Sequence, residues 1–302
     1  MELALQLRGS YAEVLRAAQW AEARGLAAFA VPDHYVGAGS DPSAPAYDHL
    51  FHLAGLARET SRIELVCLVS PITFRHPAVL AKTGVTIDEM SGGRFALGVG
   101  TGWMEKEHSL FGLPFPPTGE RFDLLEEALL YLRAYLEGTG FEGRHYRLEE
   151  FDAFPKPANL RLVVGGSGKL RTPALAGRMA DEFNAYCRPI PELVEVLAAA
   201  RSAAATAGRR PGDLMISSAC PVVVGTTAAK YRMALERAAD RFRKLPEEVE
   251  KTLRESGYPI GLTAGETMAG LSDAGVQRFY VQSLSLEIED LEDTFDALDA
   301  SP

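Results

Sequence analysis

The pattern that most constrains this chain is a switch, made eight times over 302 residues, between short β-rich runs and amphipathic helical stretches. Such alternation points to parallel βαβ units, because parallel neighbours need a crossover long enough to hold a helix. Glu2–Leu7 opens as a strand, and Tyr11–Arg24 follows with Val14, Leu15, Ala18, Trp20 and Ala21 near helical spacing. Gly25 stops that helix, and Ala27–Val31 is a second strand ended by Pro32. A Gly/Ser/Pro-rich loop, Gly37–Pro45, leads to a helix at Tyr47–Glu59. Ile63–Val69 and Pro77–Met90 form the third strand–helix pair, Arg94–Val99 and Glu120–Leu136 the fourth.

The second half keeps this rhythm with more decoration. A small hairpin at Phe141–Leu148 precedes strand Leu160–Val164 and helix Lys169–Met179. Glu182–Tyr186 pairs with helix Glu192–Ala207, and Met215–Val224 is a long seventh strand. Helical stretches follow at Ala228–Lys244, Pro246–Glu255 and Gly265–Asp273, then strand Arg278–Gln282 and helix Ile288–Leu298. Eight units in 302 residues favour a closed (β/α)8 TIM barrel with insertions at its C-terminal mouth over an open doubly wound sheet. One such barrel over residues 1–302 is the expected domain organisation.

Composition removes several functional classes. Hydrophobic residues at 47% supply a core without disulfide or metal staples. A net charge of −10 argues against a nucleic-acid partner, since phosphate binding wants a basic surface. No apolar run approaches the ~20 residues of a membrane span. Met1-Glu2-Leu3-Ala4 shows no basic leader, so no signal peptide is expected. Cys67, Cys187 and Cys220 form no CxxC and lie in or beside strands, as buried thiols do in a reducing cytoplasm. His49 and His52 lie three apart without HExxH or a carboxylate cluster, so no metal site is expected. No GxSxG elbow supports a serine hydrolase.

In a barrel, chemistry belongs on the loops that follow the strands. After strand two, Asp33-His34-Tyr35 offers a proton carrier with an adjacent carboxylate, or a plain turn. After strand three, Ser70 and Thr73 are hydroxyls at the mouth, between Pro71 and Pro77; a strand exit with a helix cap is the alternative. After strand four, Gly98, Gly100 and Gly102 leave one face free of side chains, where a flat ring has room to lie on backbone. Glu105, Glu107 and His108 form either a proton-handling cluster or a solvated helix face. After strand five, Gly165-Gly166-Ser167-Gly168 is a phosphate cradle, with Lys169 and Arg171 adding charge and Ser167 as N-cap the alternative.

Together these loops resemble the bacterial luciferase-like family of flavin and deazaflavin oxidoreductases. The likeness is strongest to its branch using coenzyme F-420, an 8-hydroxy-5-deazaflavin. Ser70–Ala81 (SPITFRHPAVLA) and Asp88–Trp103 (DEMSGGRFALGVGTGW) carry it, continued by Glu107-His108, Phe111–Pro116, Glu120–Phe122, Gly165–Gly168 and Ala176–Asp181. The resemblance implies a ring system in the carboxyl-terminal mouth, with Asp33 and His34 beside it. It implies a bulge with a non-prolyl cis peptide at Leu68, Val69 and Ser70. It further implies that Thr73, Gly100, Thr101 and Gly102 complete the ring pocket and that Gly165 to Gly168 take the phosphate.

The implied chemistry is hydride transfer between the deazaflavin and a small-molecule substrate, with His34 and Glu107 as catalytic candidates. In the sugar-phosphate dehydrogenase branch an acidic residue follows the Gly-Thr-Gly turn. Here Trp103 stands in its place and favours a hydrophobic or aromatic substrate. Lys156, Arg161, Lys169 and Arg171 are candidates for the acidic tail of F-420. The other readings are an FMN-dependent monooxygenase of the same fold and a flavin-binding protein without turnover. The Asp33–Tyr47 loop and an insertion near Arg243–Pro259 are expected to shape access, and two chains to pair as a homodimer.

Overall fold

The computed structural model describes residues 1–37, 45–152, 155–262 and 264–300. Most of the Gly37–Pro45 loop lies outside the described residues. Eight parallel strands close a barrel in chain order: β1 Glu2–Gln6, β2 Ala28–Val31, β3 Glu64–Pro71, β4 Phe95–Gly100, β5 Arg161–Gly166, β6 Glu182–Tyr186, β7 Met215–Pro221 and β8 Arg278–Gln282. β1 closes the ring on β8 through Glu2↔Arg278 to Gln6↔Gln282. The (β/α)8 reading therefore holds, and the open sheet is excluded.

Two cores follow from the two-residue period of the strands. Outward side chains such as Leu5, Phe29, Leu65, Leu97, Leu162, Phe183 and Phe279 pack under the helices. Inward positions hold Ala4, Ala28, Ala30, Ala96 and Ala219, which leave room for one large ring, Tyr280. Its hydroxyl donates to Glu182 Oε1 at 3.1 Å. Beneath it, Arg278 meets Glu2 at 2.9 Å and Glu64 at 2.8 Å, and Arg161 pairs with Glu64 and Glu182. The amino-terminal end is thus plugged by paired charges, and the open end is the mouth.

Three sequence boundaries move for identifiable reasons. The seventh strand stops at Pro221 rather than Val224, because Val223–Val224 pair instead with Ile260–Gly261, Val223 N donating to Pro259 O at 3.1 Å. The second helix starts at His49, where Asp48 accepts from Leu50 N at 3.1 Å as its cap. The helix after β5 starts at Arg171, so Gly165 and Gly166 end the strand and Ser167 caps nothing. The hairpin forms as expected, pairing Phe141–Glu142 with Arg147–Leu148. Among the described residues no helix is long and apolar enough to cross a membrane.

Candidate active site

The exit of β2 is fixed by charge. Asp33 is fully buried and meets the guanidinium of Arg75, while Ser70 Oγ donates to its Oδ2 at 2.7 Å. Arg75 also reaches Asp48 Oδ2 at 2.7 Å and lies over the Tyr35 ring. Burial pushes the Asp33 carboxyl up, and Arg75 and Ser70 oppose that shift. The Arg75 guanidinium is held above its ordinary value: burial opposes its charge, and Asp33 and Asp48 outweigh that. One arginine therefore ties the β2 exit, the β3 exit and the second helix together.

That clamp sets the next residue. His34 Nδ1 lies 3.0 Å from Glu107 Oε1, and Tyr35 N donates to Glu107 Oε2 at 3.0 Å. A carboxylate only accepts, so Nδ1 carries the hydrogen and Nε2 is the free position. Nε2 has no partner among the described residues. The His34 side chain is 17% exposed and Glu107 only 1%, so the dyad has a buried base and an open tip. The Trp103 ring, 70% exposed, stands edge-on to the imidazole at 5.9 Å between centroids.

Beside it, His108 is fully buried. Its Nδ1 donates to Met104 O at 2.8 Å, leaving Nε2 to accept from Thr73 Oγ1 at 2.6 Å. The Thr73 oxygen is thereby left with its acceptor capacity toward the mouth. Both His108 and Glu107 come from one short helix, Glu105–Phe111, whose inner side serves both pairs.

The floor is made by β3. Its register passes from Cys67↔Leu97 to Ser70↔Val99, and the Leu68–Val69 peptide is cis. The extra residue aims Val69 across the neighbouring strands: a Cβ on Gly165 would meet its Cγ1 at 2.7 Å, and one on Gly100 its Cγ2 at 3.0 Å. A Cβ on Gly98 would strike the Cys67 carbonyl oxygen. The Leu68 carbonyl accepts from Gln6 Nε2 at 2.6 Å, and Gln6 Oε1 accepts from Gln282 at 2.7 Å.

The fourth wall is the turn after β5. A Cβ on Gly168 would collide with Thr172 Oγ1, so the turn needs glycine there. Arg188, from the exit of β6, donates Nη2 to Ser167 O at 3.0 Å.

A model of the luciferase-like monooxygenases matches residues 3–298, nearly the whole barrel just described. The chain belongs to the luciferase-like monooxygenase family. It is 36% identical over 168 residues to the F420-dependent glucose-6-phosphate dehydrogenase of Nakamurella multipartita, covering 54% of this chain and 49% of that protein. It is 38% identical over 122 residues to the pyrimidine monooxygenase RutA of Stutzerimonas stutzeri, covering 38% of this chain and 33% of that one. The chain thus spans about half or less of the length of the curated relatives it matches. The fold is shared with an F420-dependent secondary alcohol dehydrogenase bound to an F420-acetone adduct, at TM-score 0.83 and 20% identity over 100% of this chain and 99% of that one. It is also shared with the F420-dependent tetrahydromethanopterin reductase of Methanopyrus kandleri, at TM-score 0.77 and 18% identity over 99% and 98%.

Within this luciferase-like barrel, three bonded pairs stand at the mouth: Asp33 with Ser70, Thr73 with His108, and His34 with Glu107. Thr101 and Gly102 follow β4 half-buried, with Gly102 against Pro71 and Thr73. Four readings change. The strip beside Gly98 and Gly100 is not open, because Cys67 and Val69 fill it. Glu107 and His108 are not a solvated face, although Glu105 is exposed. Arg161 lies in the charged plug at the opposite end of the barrel, and Lys156 Nζ lies near Gly138 at the end of a helix. Lys169 and Arg171 stand beside the turn but are engaged by Glu192 and Asp123. Gln6, Arg75, Arg188 and Gln282 escaped sequence reasoning; only Arg75 sat within a motif that could have flagged it.

Proposed function

We propose that this chain is an oxidoreductase that uses coenzyme F-420 to exchange a hydride with a small organic substrate. The observation that carries this reading is the His34–Glu107 dyad with Nε2 open at the mouth. Hydride transfer to or from a carbon–oxygen bond needs a proton given or taken at the oxygen, and an imidazole oriented through Nδ1 does that near neutral pH. Similarity to the F420-dependent dehydrogenase of Nakamurella multipartita supports the choice of cofactor.

The residues fit such a group. Val69 with Gly100, Thr101 and Gly102 offers a shallow surface flanked by Thr73, and the turn of Gly165, Gly166, Ser167 and Gly168, with Thr172 Oγ1 packed beside Gly168, is the place for an anion. When bound, the deazaflavin supplies the hydride donor or acceptor, while the protein orients and shields. Asp33, clamped by Arg75, sets the backbone on which His34 stands. Glu107 holds the Nδ1 hydrogen, so that Nε2 gives or takes the substrate proton. Trp103 supplies an apolar wall that sheds water and suits a hydrophobic or aromatic substrate.

A second reading, FMN-dependent monooxygenation, is favoured by the similarity to RutA. Titration of the apoprotein with each cofactor, followed by fluorescence, separates them. Micromolar or tighter F-420 with weak FMN is the expected result; the reverse preference moves the protein to the oxygen-using branch. A cytoplasmic homodimer acting on a small molecule, with no nucleic-acid or membrane partner, is part of the same proposal.

A further inference from the structure

Charges around the glycine turn do not balance. Lys169 Nζ is 2.6 Å from Glu192, and Arg171 Nη2 is 2.7 Å from Asp123 with its guanidinium over the Phe122 ring. Both neighbouring cations are therefore neutralised by the chain itself, on the exposed side of the turn. Arg188 differs. It is only 8% exposed and forms no ion pair among the described residues; Glu192, the carboxylate that feels its charge, is bonded to Lys169 instead. Arg278, equally buried, has two carboxylates within 2.9 Å.

The Arg188 hydrogen bonds do not compensate. Nη2 donates to Ser167 O at 3.0 Å and Nε to Tyr186 O at a long 3.4 Å, while Nη1 bonds to none of the described residues. A guanidinium with no direct ion pair and one unbonded arm is placed to take an anion supplied from outside. The Arg188 main chain is closely packed: Gly257, in the left-handed region at φ 73°, lies so near the Arg188–Pro189 main chain that an added Cβ would meet it at 3.0 Å. Arg188 is thus fixed beside the turn through Ser167.

We infer that Arg188 is the counter-charge for a phosphate group seated on the Gly165–Gly168 turn, one arm of its guanidinium holding the turn through Ser167 and the other facing the anion. The ligand's identity rests on the deazaflavin reading given above; the phosphate chemistry rests on Arg188 and the turn.

The test compares the parent chain with Arg188→Met and Arg188→Lys. Each is titrated by fluorescence with F-420 and with its ribityl-deazaflavin core, which lacks the phosphate and tail. Arg188→Met is expected to weaken F-420 at least about 30-fold while leaving the core within about twofold, and Arg188→Lys to recover most of the loss. Retained core binding also reports a folded site. Equal losses for both ligands, or no loss for either, overturn the inference. If the parent binds neither ligand, the deazaflavin reading fails, and inorganic phosphate then decides on Arg188 alone. A rise in the parent's Tm with phosphate that vanishes in Arg188→Met upholds the assignment, and no rise in the parent rejects it.

Discussion

Glu107 accepts from His34 Nδ1 with one carboxylate oxygen and from the Tyr35 main-chain N–H with the other, each at 3.0 Å. One buried side chain thus fixes both the tautomer of the imidazole and the backbone that carries it. His34→Ala is expected to lower kcat by about 10²–10⁴-fold, with cofactor affinity within about twofold of the parent. Glu107→Gln should cost less, because the amide oxygen still accepts from Nδ1. Steady-state kinetics beside cofactor titration checks both. A cofactor affinity that falls in step with kcat would show these residues serving binding alone.

The Asp33–Arg75 pair is buried on the carboxylate side and shared with Asp48. Removing one partner leaves a stranded charge, so Arg75→Met should destabilise the fold by about 3–5 kcal/mol in urea denaturation. Adding Asp33→Asn should recover part of that loss, since the double variant leaves unpaired only Asp48, which solvent reaches. A cost below about 1 kcal/mol for the single change would mean the clamp is loose in solution.

Val69 and Gly165 share one space. Gly165→Ala forces a methyl against Val69 Cγ1 and should cost about 1–3 kcal/mol. Combined with Val69→Ala, the penalty should shrink below the sum of the two single changes, which is how overlapping side chains betray themselves in a double-mutant cycle. Additive penalties would mean that the two residues do not compete for that volume.

His49 gives the fold an acid limit. Burial first, and then His52, Arg8 and His34, drive its pKa from the ordinary 6.5 to about 3, against Asp48. The unfolded chain therefore takes up this proton at a pH where the native chain refuses it. The stability tied to His49 is complete above pH 6.5 and is lost as pH falls toward 3, by an amount on the order of 5 kcal/mol. His49→Leu should flatten the urea midpoint against pH across that window. A parallel fall in both proteins would place the acid sensitivity elsewhere.

Much of the barrel was legible because strand and helix periods differ and eight alternations leave few topologies. The dyad was half legible. His34 follows a strand exit, as a proton carrier should, whereas Glu107 sits next to His108 on a seven-residue helix too short to reveal its buried side by periodicity. Gln6, Gln282 and Arg188 were invisible for another reason. Their roles depend on which strands lie side by side, as with Gln6 and a carbonyl 62 residues away. Lys169 and Arg171 misled by adjacency, since their acidic partners stand on other helices.

The segment after β7 leaves and re-enters the barrel through one pair of two-residue strands, Val223–Val224 beside Ile260–Gly261. Between them, Leu235, Ala238, Ala239, Val249 and Leu253 form a small core together with Val223 and Ile260. A unit that carries its own packing can be exchanged as a cassette, provided the newcomer keeps the ties to the last helix at Asp290 and Asp293 and the close approach of Gly257 to Arg188. Transplanting the 225–259 stretch from another barrel of this family onto the same two strands is therefore a way to reset which molecules reach His34 while leaving the reaction beneath them alone.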